Sequence, residues 1–471
     1  MNLKQGTFYL VIAWSMMLLS GYALNVWLAR HFTPIEYGTY GLVMSILLWI
    51  EIIVINGIPY ALQKFVSSDE ENGYSILRTS VRLQLIIAVA LFLISVGMAS
   101  IIASLLKDQQ LTSSLRIAFG DILFFGFYHL LVSFQNGFKR FDRQAILIVV
   151  YAIGKLAFVI LFVSISNSID YAFMANIAAS ILGLVTGCFL LKRGVEYHSY
   201  DQKELVRFSV PSLLYFLMLM LLFYIDLWAV KRYLNDSVSG YYYSASVIAK
   251  IPYYLFLGLS TSLLPILSDQ LSKQLIVDAK KSIQQALRFF LILAVPIGFL
   301  VSLYSKELIV LLFSSEYEPA GLILSILIWG MTFLAMLFML TTIINADNRP
   351  TVSFILAFGA VVLDVILNVV LVPQFGAIGA ALATSIATGA SVIAASIYVY
   401  LKFRVLLNKF MFFKIGGSML VVYFFSRCFA ISGIGVLLIL IFNFIVYLVL
   451  LLLLKEIEIK DIKIFLRSKM D

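Results

Sequence analysis

The chain has 471 residues, of which 62% are hydrophobic and 13% are charged, and its formal net charge is +9. A soluble domain does not need this much apolar surface, so the composition excludes a soluble protein and indicates an integral membrane protein. The apolar runs are long and do not alternate with polar residues, which excludes a transmembrane β-barrel and predicts helices.

The apolar runs divide into about 14 predicted transmembrane helices, each near the length of roughly 20 residues that spans a bilayer. In chain order these predicted spans are 8–29, 37–58, 81–106, 115–134, 145–166, 171–191, 208–230, 240–267, 286–304, 320–343, 351–372, 378–401, 410–429 and 434–454. The first run is too long for the apolar core of a signal peptide, so we interpret it as a retained helix. The fold class that follows is an all-α polytopic membrane protein.

Lys and Arg residues are unevenly distributed between the loops. An even number of spans places both termini on one side of the membrane, and most of the 34 Lys and Arg residues fall in loops on that side. This asymmetry is the positive-inside pattern, so we predict that both termini are cytoplasmic. It also explains the basic net charge without a nucleic-acid partner.

The sequence repeats itself at a separation of about 200 residues, which fits a duplicated membrane bundle. Segment 24–41 aligns with segment 225–242. The matched pairs are Trp27 with Trp228, Arg30 with Lys231, Gly38 with Gly240, and Tyr40 with Tyr242. Each copy holds six predicted spans, an even number, so both copies run in the same direction through the membrane.

This repeat predicts two parallel six-helix lobes followed by an extra helix pair. The predicted segments are an N-terminal lobe (1–191), a cytoplasmic linker (192–207), a C-terminal lobe (208–402), the extra pair (403–454) and a cytoplasmic tail (455–471). No stretch of the sequence is long and polar enough to form a separate soluble domain.

Six charged side chains lie well inside the predicted spans. They are Glu51, Asp121, Lys155, Asp226, Lys250 and Asp364. Each would cost roughly 2.5–3.5 kcal/mol if it faced lipid. We therefore expect these side chains to face a hydrated cavity or one another, while ion pairs that only hold helices together are the alternative for any single residue.

The candidates for binding an anionic substrate are Arg30 at the end of the first span, Lys155 in the middle of the fifth and Lys250 in the eighth. Arginine can hold a phosphate through two parallel hydrogen bonds, whereas lysine offers a point charge. Lys155 and Lys250 come from different predicted lobes, so the two can face each other across a cleft.

The candidates for binding a coupling ion are Asp226 in the seventh span and Asp364 in the eleventh, with Asn368 one helical turn beyond Asp364 on the same face. Carboxylate and amide oxygens suit a coupling Na⁺ or H⁺. Thr384 is a weaker candidate, since its segment, 376–391, is rich in small residues whose usual role is close helix packing. Glu51 and Asp121 do not fit this division into a cationic and an acidic lobe.

Enzymatic chemistry finds little support in the sequence. It contains no zinc-binding motif, phosphate-binding glycine-rich loop or nucleophile elbow. Cys188 and Cys428 fall at opposite membrane faces in the predicted topology, which argues against a disulfide or a metal site. We therefore predict that the protein is not an enzyme and that it uses no cofactor apart from a coupling Na⁺ or H⁺.

Four segments carry a resemblance to a known family. They are LARHFTPIEYGTYGL (28–42), FSVPSLLYFLMLMLLFYIDLWAVKRYL (208–234), SGYYYSASVI (239–248) and VPQFGAIGAALATSIA (372–387). In order and spacing they resemble bacterial polysaccharide flippases, which belong to the multidrug, oligosaccharidyl-lipid and polysaccharide exporter superfamily. The resemblance runs over nearly the whole chain.

This resemblance implies a flippase for lipid-linked oligosaccharides of the undecaprenyl-diphosphate type, which it moves from the inner to the outer leaflet of the bacterial inner (plasma) membrane. It implies alternating access, a cationic cavity and a Na⁺ or H⁺ gradient as the driving force. The implied partners are the lipid-linked oligosaccharide, the lipid bilayer, a polysaccharide polymerase and glycosyltransferases.

The resemblance also bears on individual residues. Arg30 matches the family's Ala-Arg at the end of the first helix, and Asp226 matches its Ile-Asp pair in the seventh. Asp364 and Asn368 resemble the acid–amide pair with which the peptidoglycan-precursor branch holds sodium, although the two residue types stand in exchanged order here. Lys155 and Lys250 have no counterpart in the family motifs.

Three other functions are compatible with parts of the sequence. A multidrug/cation antiporter of the same superfamily is the first, although such proteins typically have twelve helices and an acidic drug cavity. A membrane-bound glycosyltransferase or polymerase is the second, but the longest polar loops here, about 15–20 residues, are too short for a catalytic domain. A non-catalytic assembly scaffold is the third.

Overall fold

The computed structural model describes residues 3–191, 201–406, 408–427 and 433–457. Regular structure in these residues is helical, in the order α1 (Leu3–His31), α2 (Pro34–Asn56), α3 (Ile58–Ser68), α4 (Gly73–Leu105), α5 (Leu111–Phe119), α6 (Ile122–Gly137), α7 (Phe141–Ser166), α8 (Ile169–Leu190), α9 (Gln202–Leu221), α10 (Ile225–Tyr233), α11 (Asp236–Ala249), α12 (Ile251–Ser272), α13 (Ile276–Leu303), α14 (Ser305–Leu312), α15 (Ala320–Ala346), α16 (Pro350–Phe403), α17 (Lys409–Arg427) and α18 (Gly435–Leu453). The predicted linker 192–207 lies outside the described residues at 192–200, and the predicted tail 455–471 does so at 458–471, as does Cys428.

The helices that can cross a membrane agree with the predicted spans. By length and composition, 12 helices in the described ranges are able to span, or 13 when the bent pair Leu213–Leu221 and Ile225–Tyr233 counts as one. One of them, α16, has 54 residues and a contour length of about 80 Å, far more than the bilayer core of about 30 Å. Its two arms count separately, which restores about 14 spans and confirms the predicted all-α polytopic fold.

The two arms of α16 meet at Gly376, whose backbone adopts φ 62° and ψ −144°. A side chain rarely tolerates a positive φ, so glycine allows the chain to reverse here. Beyond the reversal the arms pack closely, because a Cβ on Gly379 would lie 2.2 Å from the Leu371 carbonyl oxygen. The sequence predicted two spans at this place, and the structure shows that a single tight hairpin joins them.

The junction between α1 and α2 is set by a capping box. The Thr33 hydroxyl accepts a hydrogen bond from the Glu36 backbone N–H, and the Glu36 carboxylate accepts one from the Thr33 backbone N–H at 3.0 Å. Pro34 occupies the first turn of α2, where its missing N–H costs nothing. These residues end the first span and begin the second within a few positions.

The chain forms two compact units, Met1–Tyr243 and Ser244–Asp471. In the first unit, α9 packs on α2, α3 and α4, and α10 contacts α2. The repeat assigns α9 and α10 to the second copy, so the compact units and the duplicated copies divide the chain at different places. The predicted lobe boundaries describe the duplication and stay a prediction.

Residues that the repeat matches touch each other inside the first unit. A Cβ on Gly38 would lie 2.6 Å from the Gly240 nitrogen, and one on Gly240 would lie 1.9 Å from the Pro34 carbonyl oxygen. Two equivalent residues of a duplicated structure meet only where the axis that relates the copies passes between them. The contact between α2 and the start of α11 therefore lies at the axis of the predicted duplication.

In the second unit, the extra helix pair α17 and α18 packs on α13. The Asn443 amide donates a hydrogen bond to the Tyr304 hydroxyl at 3.1 Å, and the Tyr447 hydroxyl donates to the Ile292 carbonyl at 3.0 Å. Buried polar groups need such partners. These bonds fix α18 against the unit in addition to its apolar packing.

Candidate functional site

The charged side chains that the sequence places inside spans are withdrawn from the outer surface. Exposed fractions are 1% for Glu51, 0% for Asp121, 1% for Asp226, 6% for Lys250 and 0% for Asp364. Lys155 is half-buried and lines a cavity. This placement agrees with the expectation that none of them faces lipid.

Glu51 and Asp121, which the sequence analysis could not place, lie together in the first unit. Glu51 belongs to α2 and Asp121 stands at the break between α5 and α6. The two carboxyl groups interact with each other, and both interact electrostatically with Lys155 of α7. The Asn176 amide of α8 donates a hydrogen bond to an Asp121 carboxylate oxygen. We call these four side chains, together with Ser180, the acid-pair site.

The break between α5 and α6 explains why a carboxylate is tolerated at Asp121. Asp121 immediately precedes the first residue of α6, Ile122, and its own carbonyl accepts the first hydrogen bonds of that helix. The N-terminal end of a helix carries a partial positive charge that favours an acidic side chain. The helix terminus and Lys155 thus both offset the negative charge of this buried residue.

Lys155 lies between the acid pair and a cavity of about 130 Å³ that is wholly within the first unit. Asn25, Tyr40 and Tyr243 are among the other lining residues. The ammonium group is 5.9 Å from the centre of the Tyr151 ring. Lys155 can therefore present positive charge to the cavity, although the nearby carboxylates offset part of it.

The other two predicted cationic residues occupy different surroundings. Arg30 is exposed at the end of α1, about 7.5 Å along the helix axis beyond Asn25, the last α1 residue at the cavity. Lys250 is buried between α11 and α12 and belongs to the second unit. Among the described residues, only Lys155 of the three lines this cavity.

Asp226 lies at the start of α10 and belongs to the first compact unit. Its carboxylate accepts hydrogen bonds from the Tyr242 hydroxyl and from the Leu227 backbone N–H, the latter at 2.7 Å. Asp364, its predicted partner, belongs to the second unit. Asp226 is thus a buried carboxylate whose hydrogen bonds include one that joins α10 to α11.

Asp364 and Asn368 form the predicted acid–amide pair on the first arm of α16. The Asn368 amide donates to the Asp364 carboxylate at 3.0 Å and to the Asp364 backbone carbonyl at 2.9 Å. Asn368 is 2% exposed, and its carbonyl oxygen has no hydrogen-bond partner in the described part of the chain. An unpartnered buried oxygen beside a carboxylate fits a bound cation, because hard cations prefer oxygen ligands.

Thr384 lies on the second arm of the hairpin. Leu371 and Gly379, which nearly touch, are equally far from residue 375. The same counting along two antiparallel arms would bring Thr384 opposite residue 366, between Asp364 and Asn368. Thr384 is fully buried, and the Thr388 hydroxyl ties the same arm to the Gly330 carbonyl at 3.1 Å.

The sequence analysis missed the role of Lys231, which it treated only as the repeat partner of Arg30. Lys231 is 5% exposed, and its ammonium lies 2.6 Å from the Asp108 carboxylate and also pairs with Asp236. These bonds join the ends of α4, α10 and α11 within the first unit. Asp236, five residues beyond Lys231, is the feature of the sequence that could have indicated this ion pair.

The comparison with protein families decides the assignment. The family model described as "Polysaccharide biosynthesis protein" matches residues 3–271, more than half of the chain. The chain belongs to this polysaccharide biosynthesis family. A second model, MatE, matches residues 211–370. Both matches place the chain in the multidrug, oligosaccharidyl-lipid and polysaccharide exporter superfamily of flippases and transporters, which confirms the resemblance found in the sequence.

Individual relatives of this polysaccharide biosynthesis protein are distant. An uncharacterized membrane protein of Methanocaldococcus jannaschii is 22% identical over 77% of each chain. A probable low-salt glycan biosynthesis flippase, Agl15, of Haloferax volcanii is 26% identical over 35% of this chain and 34% of its own length.

Solved structures support the fold. A lipid II flippase MurJ in an inward closed conformation superposes with a TM-score of 0.79 at 20% identity, covering 93% of this chain and 97% of its own. An inward-facing multidrug resistance MATE transporter gives a TM-score of 0.73 at 13% identity, covering 82% and 94%. At these identities the likeness concerns the fold alone.

Proposed function

We propose that this protein moves a lipid-linked oligosaccharide of the undecaprenyl-diphosphate type from the inner to the outer leaflet by alternating access. The observation that carries the proposal is Lys155 at a cavity inside a membrane unit of a polysaccharide biosynthesis protein. A diphosphate cannot leave water without compensating charge, because desolvating even one ion costs several kcal/mol. A lysine lining an intramembrane cavity supplies such charge. The related Agl15, a probable low-salt glycan biosynthesis flippase, supports a flippase function.

Arg30 and Lys250 are proposed to make further contacts with the anionic headgroup. Arg30 is exposed at the end of α1, where a guanidinium can hold a phosphate through two parallel hydrogen bonds. Lys250 is buried at the junction of α11 and α12, so its charge acts in a region of low dielectric constant, where an ion interacts more strongly than in water.

We further propose that a Na⁺ or H⁺ gradient drives transport through Asp364, Asn368 and Thr384, with Asp226 as an additional carboxylate. The support is the unpartnered carbonyl oxygen of Asn368 beside the Asp364 carboxylate in the α16 hairpin. A carboxylate, an amide oxygen and a hydroxyl form a set of oxygen donors that suits a hard cation. Binding of the ion there would be coupled to any conformational change of the hairpin.

The decisive experiment measures flipping of a fluorescent short-chain lipid-linked oligosaccharide in liposomes that contain the purified protein. Lys155→Met should reduce the rate at least tenfold, whereas Lys155→Arg should keep most of it, because the charge is retained. Lys306→Met is the control: its ammonium is exposed and hydrogen-bonds Glu318 at 2.6 Å, which raises its pKa. A wild-type rate in Lys155→Met would refute the role of this cavity in binding the headgroup.

The second candidate function is a multidrug/cation antiporter. The MatE match over residues 211–370 and the two buried carboxylates Glu51 and Asp121 favour it. Such a protein would expel a cationic dye from liposomes, and Lys155→Met would not impair that export. Dye export without oligosaccharide flipping would establish this function in place of the first.

The membrane orientation is part of the proposal. We propose a protein of the bacterial inner (plasma) membrane that works beside a polysaccharide polymerase and glycosyltransferases. Both termini are proposed to be cytoplasmic, because the Lys and Arg residues concentrate in the loops on the side of the termini. Reporter fusions after Lys306 and Arg427 should both report the non-cytoplasmic side. A cytoplasmic signal from either fusion would contradict this orientation.

A further inference from the structure

A groove of about 420 Å³ lies in the first unit, between α3 and the turn that leads from α6 to α7, and the function proposed above does not use it. Its volume falls within the range of small-molecule sites. Two of the lining residues are lysines, and in the part of the chain that the structure describes none is acidic, so the groove favours an anion. The lining residues include Tyr60, Gln63, Lys64, Ser67, Asn136 and Lys139.

The groove is a preformed feature of the fold, because its two walls pack closely beneath it. The four lining residues from α3 stand at positions i, i+3, i+4 and i+7 and so share one face of that helix. Buried residues such as Leu62 and Val66 occupy other positions of α3. At the end of α6, a Cβ on Gly137 would lie 2.8 Å from the Val66 Cβ. This close approach fixes the turn after α6 against α3.

The positive charge at Lys139 is a property of the first copy of the repeat. Asn136 matches Asn345, and the same offset pairs Lys139 with Asn348. Lys139 and Asn348 both have a left-handed backbone, with φ 55° at each, so the two positions are structurally equivalent. Asparagine tolerates this conformation better than lysine. The first copy therefore carries the charge at a position whose backbone favours the neutral residue.

Lys64 shows the same difference between the copies. Pro59 and Pro265 stand at matching places in the repeat, and their offset pairs Lys64 with Gln270. The matched position in the second copy is again neutral. The repeat alone therefore does not require lysine at either position, and the two positive charges call for an explanation in the first unit.

The helix α7 connects the groove with the cavity that Lys155 lines. Phe141, the first residue of α7, lines the groove, whereas Ala152 and Lys155 line the cavity. Phe141 and Ala152 are about three helical turns apart, so the groove and the cavity lie on the same face of α7. Along the helix Phe141 is about 21 Å from Lys155. Because Lys155 stands near the middle of α7, the groove lies at the headgroup level of a membrane whose hydrocarbon core is about 30 Å thick.

We propose that this groove binds the diphosphate headgroup of the lipid-linked oligosaccharide at the cytoplasmic face, before the headgroup reaches Lys155; the inference rests on the function proposed above. A diphosphate between a lipid and a sugar carries two negative charges, which match Lys64 and Lys139. An ordinary anionic phospholipid carries a single phosphodiester charge, for which one lysine suffices. The hydroxyl and amide groups of the other lining residues are suitable donors to phosphate oxygens.

Lys139 is able to turn to such a ligand. Its ammonium pairs with Glu70 at 3.0 Å, but both side chains are at least half exposed. Exposed ion pairs contribute little to stability, because water screens them. A phosphate that enters the groove can therefore replace the Glu70 carboxylate as the partner of Lys139.

The test measures equilibrium binding of a fluorescent short-chain polyprenyl diphospho-sugar to the full-length protein in phosphatidylcholine nanodiscs. The Lys155→Met background removes the lysine of the cavity. Lys64→Gln with Lys139→Asn installs the residues of the second copy and should weaken binding at least tenfold. Arginine at both positions should retain it. Lys273→Gln with Lys281→Asn is the control, since it removes two exposed lysines on the same predicted side of the membrane and should leave binding unchanged.

The flipping assay gives a second readout in protein that keeps Lys155. Lys64→Gln with Lys139→Asn should raise the KM for the lipid-linked oligosaccharide at least tenfold and leave the maximal rate close to that of the wild type. An unchanged KM together with unchanged binding would overturn the proposal. Displacement of the probe when phosphatidylglycerol is added to the nanodiscs would also overturn it, because the groove would then bind bulk phospholipid. Impaired flipping in Lys155→Met alone would leave the proposed function standing without the groove, so the two proposals can fail separately.

Discussion

The two buried carboxylate sites differ in how much of the chain builds them. In the second unit, Asp364 and Asn368 stand one turn apart on a single arm of α16, and the amide donates to the carboxylate at 3.0 Å. In the first unit, the acid pair and Lys155 come from three places in the chain that only tertiary packing brings together. The acid-pair site therefore depends on the balance between its buried charges, whereas the site of Asp364 and Asn368 depends on the geometry of one hairpin.

The largest effect is expected from a variant that removes the positive charge of the acid-pair site. Lys155→Met removes the positive charge that acts on the buried carboxyl groups of Glu51 and Asp121, and a buried charge without compensation destabilises the folded state. We expect the thermal unfolding midpoint of the purified protein to fall in K⁺ buffer.

Lys139→Met is the matched control for that loss of stability. Lys139 pairs with Glu70 at 3.0 Å, but both side chains are at least half exposed. Exposed ion pairs contribute about 0–1 kcal/mol. Equal destabilisation of the two lysine variants would contradict the distinction between a buried cluster of charges and an exposed ion pair.

The two sites also show what one sequence can predict. The spans followed from long apolar runs, and Asp364 with Asn368 followed from helical spacing, because both are local properties of the chain. Glu51 and Asp121 stayed unplaced because their electrostatic interaction with Lys155 depends on how separate helices pack. The repeat likewise matched Gly38 with Gly240, but it gave no means of knowing that these two glycines touch.

The next effect tests the hairpin that builds the second site. Gly379→Ala would place a Cβ 2.2 Å from the Leu371 carbonyl oxygen, a backbone atom that cannot move without opening the arms. Such overpacking typically costs about 1–3 kcal/mol. We expect lower stability and weaker Na⁺ binding in the second unit.

Gly359→Ala supplies the control on the same helix. A Cβ at Gly359 would meet no atom within 4 Å, and alanine is favoured over glycine in a helix by roughly 0.5–1 kcal/mol. This variant should be slightly more stable than the wild type in thermal unfolding. If both glycine variants behave alike, close packing of the arms does not hold the second site together.

A smaller effect separates hydrogen bonding from ion binding. Asn368→Ala removes the amide that donates to Asp364, and leaving a buried acceptor short of a donor costs about 1–3 kcal/mol. Asn443→Ala removes a similar amide, which donates to Tyr304 at 3.1 Å in the same unit. We expect comparable losses of stability, but only Asn368→Ala should weaken Na⁺ binding. Weaker binding in both would indicate a general loosening of the unit.

The smallest effect concerns Thr384, which residue counting along the hairpin assigns to the level of Asp364 and Asn368. Thr384→Val keeps the side-chain shape and leaves the Thr384 backbone carbonyl to accept the Thr388 hydroxyl at 2.6 Å. The change removes a single neutral oxygen, so Na⁺ affinity in the second unit should fall by about three- to tenfold, equivalent to roughly 0.7–1.4 kcal/mol. Unchanged Na⁺ affinity in Thr384→Val would mean that the hairpin brings Thr384 to the right depth without making it a ligand.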